Sequence, residues 1–182
     1  EVLPDDEALT RMRLLSSRRT TALLSRGMAK ALPFAVTAPP QIFTDIDALA
    51  KCVAQMPHGC IAKMPWSNAG RGNINSNITP STEMIRRCAD GIKRYGMVCV
   101  EPCHDRVADF AMLWMARDDG TVEYTGLSLF ETTDTGAYTA NIILPDSDIR
   151  TKLQQYIPTK QLDMVVQTMG PELERIINGA YH

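Results

Sequence analysis

The chain has 182 residues, 45% of them hydrophobic, with 19 basic against 21 acidic side chains and a net charge of −2. That is enough apolar material for one ordinary domain or two small subdomains, and the near-balance of charge excludes a general basic footprint for nucleic acid or an anionic membrane. No apolar run approaches the roughly 20 residues that span a bilayer, and no basic-then-apolar leader stands at the start, where Glu1 in place of Met leads us to expect native residues upstream.

Residues 5 to about 31 read as helical, with Asp5, Asp6 and Glu7 where a helix N-terminus favours negative charge and Leu9, Met12 and Leu15 at helical spacing. A second helix is expected from Thr20, with Leu23, Leu24 and Met28 on one face. Arg11, Arg13, Arg18, Arg19 and Arg26 make this the most basic stretch, read as a solvated face. Residues 32–40 are Pro-bounded, a connector or edge strand. A helix is then expected with Thr44 as N-cap and Leu49, Cys52 and Val53 facing inward, ended by His58-Gly59.

The run Cys60-Ile61-Ala62-Lys63 reads as a buried strand that ends on a lysine. It breaks at Pro65 and continues through small residues to Gly70 and Gly72. Such a loop can offer backbone N–H groups to phosphate oxygens, with Lys63 and Arg71 adding positive charge. The plainer alternative is a hairpin turn with a solvated Lys and Arg. The run is neither a G-x-x-x-x-G-K-[ST] loop nor a G-x-G-x-x-G fingerprint.

Thr79-Pro80 reads as N-cap and first helical position of the next helix. Ile85, Cys88, Ala89 and Ile92 form its apolar stripe, and Gly96 closes it. Met97 to Glu101 is a short apolar strand tipped by a carboxylate. Residues 108–116, 121–130 and 137–144 follow as an antiparallel meander, with Asp118-Asp119-Gly120 as the first turn. Ser147 or Asp148 is expected to cap a further helix, and Thr159 another that breaks or kinks at Gly170-Pro171. The order implies an α+β fold, an antiparallel sheet with helices on one face. The five cysteines, at 52, 60, 88, 99 and 103, are odd in number and lack metal-ligand spacing, so we read a reduced, cytoplasmic protein with buried thiols.

Three segments together resemble the ATP-grasp superfamily. Ala62-Lys63-Met64-Pro65-Trp66-Ser67-Asn68-Ala69-Gly70-Arg71-Gly72 is similar to the strand and loop of its small subdomain. Val98-Cys99-Val100-Glu101-Pro102-Cys103 is similar to its adenine hinge, and Asp109-Phe110-Ala111-Met112 stands where the family often carries a ribose-binding acid. The resemblance implies that Lys63 contacts the α- and β-phosphates of ATP. It further implies that Ser67, Asn68, Ala69, Gly70, Arg71 and Gly72 close over the β- and γ-phosphates, that Glu101 and the backbone of Cys103 hold adenine, and that Asp109 holds the ribose. Ile61, Val98, Val100 and Met112 would wall the adenine slot.

The resemblance also implies a domain plan: a helical N-terminal segment and connector over 1–58, an ATP-grasp-like nucleotide-binding subdomain over 59–145, and C-terminal helices over 146–182. No E-x-N follows Asn141, so the magnesium ligands of the family are expected only in a missing C-terminal half, and Mg2+ is expected with ATP only if that half is present. The chain is accordingly expected to be a piece of a longer ligase that activates a carboxylate as an acyl phosphate for an amine or thiol, and inactive by itself. The alternative is a degenerate, non-catalytic binding or interaction module. A nucleotide is the one partner implied, with no nucleic acid and no membrane, and a homo-oligomer stays open.

Overall fold

The computed structural model describes residues 3–36, 38–67, 70, 72–76, 80–134 and 136–179. Asn68, Ala69 and Arg71 of the expected phosphate loop, and the expected cap Thr79, lie outside them. The fold is α+β. The chain divides into two compact units, one of Glu1–Arg26 with Ala38–His104, the other of Gly27–Thr37 with Asp105–His182.

The first unit opens with α1 (Asp6–Leu15), whose N-cap Asp5 accepts from the N–H of Ala8 at 2.8 Å. Helix α2 (Arg18–Ala31) follows, with its residues up to Arg26 in this unit and those from Gly27 in the second. The centre of the first unit is a four-stranded antiparallel sheet in the order β1-β4-β2-β3, formed by β1 (Gln41–Phe43), β2 (Cys60–Lys63), β3 (Ile74–Ser76) and β4 (Val98–Pro102). Strand alternation sends Cys60, Ala62, Val98 and Val100 to one face, all fully buried. There they meet Leu49 and Val53 of α3 (Ile46–Val53) and Met84 and Cys88 of α4 (Thr82–Tyr95) in one core cluster. Gly91 lets α4 lie close on the sheet: a Cβ there would stand 2.6 Å from Met64 Sδ and 2.9 Å from Val98 Cγ2.

Three expectations shift here. The cap of α3 is Asp45, accepting from Ala48 N at 2.8 Å, and not Thr44, because Gln41–Phe43 pair with β4 and the chain leaves the sheet one residue later. Residues 33–35 form a turn and β1 begins only after Pro40, so of the two alternatives for 32–40 the connector holds and, among the described residues, the edge strand does not. Pro80 precedes α4, whose cap is Ser81, accepting from Met84 N at 3.0 Å.

The second unit holds a three-stranded antiparallel sheet, β5 (Asp109–Ala116), β6 (Val122–Thr132) and β7 (Tyr138–Ile142). The meander is as expected, but among the described residues it forms a separate sheet and does not extend the first one. Helices α5 (Asp146–Leu153) and α6 (Thr159–Ile177) close a second core of Leu127, Ile149, Leu153 and Leu162. Asp146 ties helix to sheet. Its Oδ1 accepts from Leu127 N at 2.8 Å and from the Tyr124 hydroxyl at 3.0 Å, beside the β5/β6 irregularity where Gly126 takes φ 146°. The expected caps Ser147 and Asp148 therefore sit inside the first turn of α5. Nor does Pro171 end α6. A proline inside a helix costs about 3 kcal/mol, and burial of Leu162, Val165, Gly170 and Ile176 along the same helix offsets it.

Candidate functional site

Lys63 is the last residue of β2, and alternation turns it away from the helix-covered core. Ile61 pairs with Glu101 and Lys63 with Cys99, so Lys63 and Glu101 are diagonal neighbours on the same face. Their side chains meet, Lys63 Nζ donating to Glu101 Oε2 at 2.6 Å, with only 18% and 23% of the two side chains exposed. An ammonium has three N–H donors, and Glu101 is the single partner of Lys63 among the described residues. The site thus presents a fixed cation with donor capacity left over. Cys99 shares this face but is fully buried, and burial, with the nearby Glu101 carboxylate adding to it, pushes its thiol up to about 11. It is no nucleophile at neutral pH.

The chain leaves Lys63 through a tight turn. Ser67 donates to the carbonyl of Met64 twice, from its N–H at 3.3 Å and its hydroxyl at 3.0 Å. Gly70 and Gly72 then take φ of 74° and 75°, the left-handed region that glycine occupies without strain. The chain returns as β3, with Ile74 opposite Ala62. The loop is therefore the connection of a hairpin, as the plainer alternative had it, yet Lys63 is ion-paired and mostly buried and not solvated.

Other expected residues fall elsewhere. Val98 and Val100 point into the helix-covered core, opposite to Lys63 and Glu101, because residues two apart share a face and adjacent ones do not. They cannot wall a slot there, whereas Ile61 can. The N–H of Cys103 already donates to Gly59 O at 3.1 Å. Met112 and Asp109 belong to the second unit. There Asp109 accepts from the Thr132 hydroxyl at 2.5 Å, pairs with Arg106 at 3.5 Å, and lines a hollow of about 570 Å3 with Phe130, Lys152 and Tyr156.

Residues that sequence reasoning missed surround the loop root. Arg18 donates its backbone N–H to Pro65 O and its Nη2 to Ser67 O, each at 2.8 Å. The Trp66 indole donates to Arg13 O at 2.9 Å. The only signal in the sequence was the basic character of the segment that carries Arg13 and Arg18.

Among the described residues no group of three or more His, Cys, Asp or Glu side chains is placed to hold a metal, and no helix is long and apolar enough to cross a membrane.

No family model and no curated protein matches the sequence. Solved structures do. The structure of N5-carboxyaminoimidazole synthetase from Staphylococcus aureus complexed with ADP matches with a TM-score of 0.54 at 13% identity, covering 85% of this chain and 38% of that one. Another structure of that synthetase matches with a TM-score of 0.49 at 12% identity, over 86% and 38%. This chain thus spans well under half the length of the proteins it matches. At such identity the likeness is one of fold, and it is consistent with the partial ATP-grasp resemblance of the sequence.

Proposed function

We propose that this chain is the ATP-binding portion of an ATP-grasp protein whose full-length form joins a carboxylate to an amine or thiol through an acyl phosphate. The observation that carries the reading is the Lys63–Glu101 pair, 2.6 Å apart on the sheet face away from the core, at the foot of a loop bent by two left-handed glycines. A fixed ammonium beside a glycine-rich turn is what a polyphosphate needs. The neighbour of known structure with the higher TM-score is complexed with ADP.

In this reading the ion pair is the resting arrangement. Arrival of a nucleotide transfers a Lys63 N–H from the carboxylate to a phosphate oxygen, which frees Glu101 to accept from the adenine amino group. The backbone from Ser67 to Gly72, including Asn68, Ala69 and Arg71, closes on the outer phosphates. The Cys103 backbone would meet the base edge only by exchanging its bond to Gly59. Asp109, assigned to the ribose by resemblance, accepts from the Thr132 hydroxyl and pairs with Arg106 inside the second unit. The described residues offer no three-donor cluster for Mg2+, so no step here runs through that ion. A cytoplasmic setting fits the reduced cysteines.

Calorimetric titration tests the reading. Saturable ATP binding that ADP displaces is the expected result. Absence of binding at millimolar ATP, a Kd weaker than about −4 kcal/mol of binding free energy, contradicts it.

A further inference from the structure

We propose that the corner between α1 and α2 is a clamp on the root of the glycine loop, with Arg18 as the positioning residue that sets where Lys63 and the loop meet a nucleotide; this rests on the nucleotide-binding reading above. The turn after Lys63 exposes two backbone carbonyls, those of Pro65 and Ser67, and Arg18 satisfies both, one from its own N–H and one from its guanidinium, each at 2.8 Å. Between them the Trp66 indole is held from three directions. Its N–H donates to Arg13 O at 2.9 Å, the Arg13 guanidinium lies 4.1 Å over its ring, and Tyr95 packs edge-on at 6.3 Å.

Ordinary core packing does not account for this arrangement, because α1 buries none of its residues. Its last turn meets the loop through Arg13, and a helix C-terminus has carbonyls to spare for such a donor. The consequence is mechanical. Residues Met64 to Ser67 are tied to the helical corner and continue β2, whereas among the described residues only the Ser67 Cβ, at 4.0 Å, comes within 4 Å of a Cβ at Gly72. Arg18 thereby sets the position of the loop relative to Lys63 without touching the ligand.

The test uses the full chain with Trp114→Phe, which leaves Trp66 as the only indole of the two. In that background Arg18→Met is expected to shift Trp66 emission to the red and to weaken ATP binding about tenfold, with Arg18→Lys recovering part of both and Arg19→Met changing neither. Unshifted emission with unchanged affinity overturns the clamp. Shifted emission with unchanged affinity overturns the positioning role. If the parent binds no ATP, the functional reading fails and the positioning role with it, while emission still reports whether the contact exists. Should Arg18→Met fail to fold, Trp66→Phe replaces it. It keeps both Arg18 bonds and should weaken ATP binding about threefold, and unchanged affinity there overturns the clamp.

Discussion

The two units use charge differently. In the second, the charged side chains at the helix–sheet junction are consumed by each other: Arg150 donates to Asp146, Asp163 and the Tyr124 hydroxyl, and Asp146 also accepts from Leu127 N. In the first, Lys63 has one acceptor among the described residues, next to a glycine loop. Both clusters are built from a cation and a carboxylate at hydrogen-bond distance. What separates them is how the donors are shared: Arg150 spends three of its five N–H groups on three acceptors, whereas among the described residues Lys63 spends one of its three on a single acceptor. A cation shared among several acceptors ties elements together, and a cation held by one acceptor is released more easily to a ligand.

The two cores offer the largest effects by which to break this comparison. Leu49 and Leu162 are both fully buried, one in each cluster. Replacing either with alanine should cost about 3 kcal/mol in denaturant unfolding. All five cysteines lie in the first unit, where burial pushes the thiols of Cys60 and Cys88, like that of Cys99, up to about 11. Thiol labelling should therefore report which core has been loosened. Cys52 and Cys103, half-buried, should label quickly in the native protein. Leu49→Ala should speed labelling of the three buried thiols, and Leu162→Ala should not. Equal acceleration by both variants would mean that the units open as one.

A smaller effect concerns acid. Burial pushes the Asp146 carboxyl up, but hydrogen bonds from Arg150, Tyr124 and the Leu127 N–H outweigh that and hold it below the usual carboxylate range. A folded-state pKa below the unfolded one contributes stability above the ordinary value near ~4 and loses it as pH falls through the folded value. Urea midpoints should therefore drop on acidification below that range, and Asp146→Asn should flatten this limb of the profile. A variant whose acid limb is as steep as that of the parent would show that the drop comes from other carboxylates.

Much of this contrast was legible beforehand, and the failures have physical causes. Cys60 to Lys63 and Met97 to Glu101 read as strands because three or four apolar residues, each run ending on a charged one, stand between turn signals. Gln41–Phe43 and Ile74–Ser76 did not, since three residues are too few to show alternation. Val98 and Val100 were misplaced because a fully apolar strand hides which of its faces meets the core. Of the break or kink expected at Gly170-Pro171, the break does not occur, because the local cost of proline is visible in sequence whereas the burial that offsets it is tertiary. Arg18 shows in the sequence only as part of a basic stretch, because its role depends on two carbonyls that lie 47 and 49 positions away in the chain.

The most direct test removes one ammonium at a time. Lys63→Ala and Lys51→Ala delete the same charge from the same unit, the latter from the exposed side of α3. Titrated with ATP, Lys63→Ala should bind at least tenfold more weakly than the parent, about 1.4 kcal/mol, and Lys51→Ala should match the parent. Equal losses in both, or none at residue 63, would contradict the account.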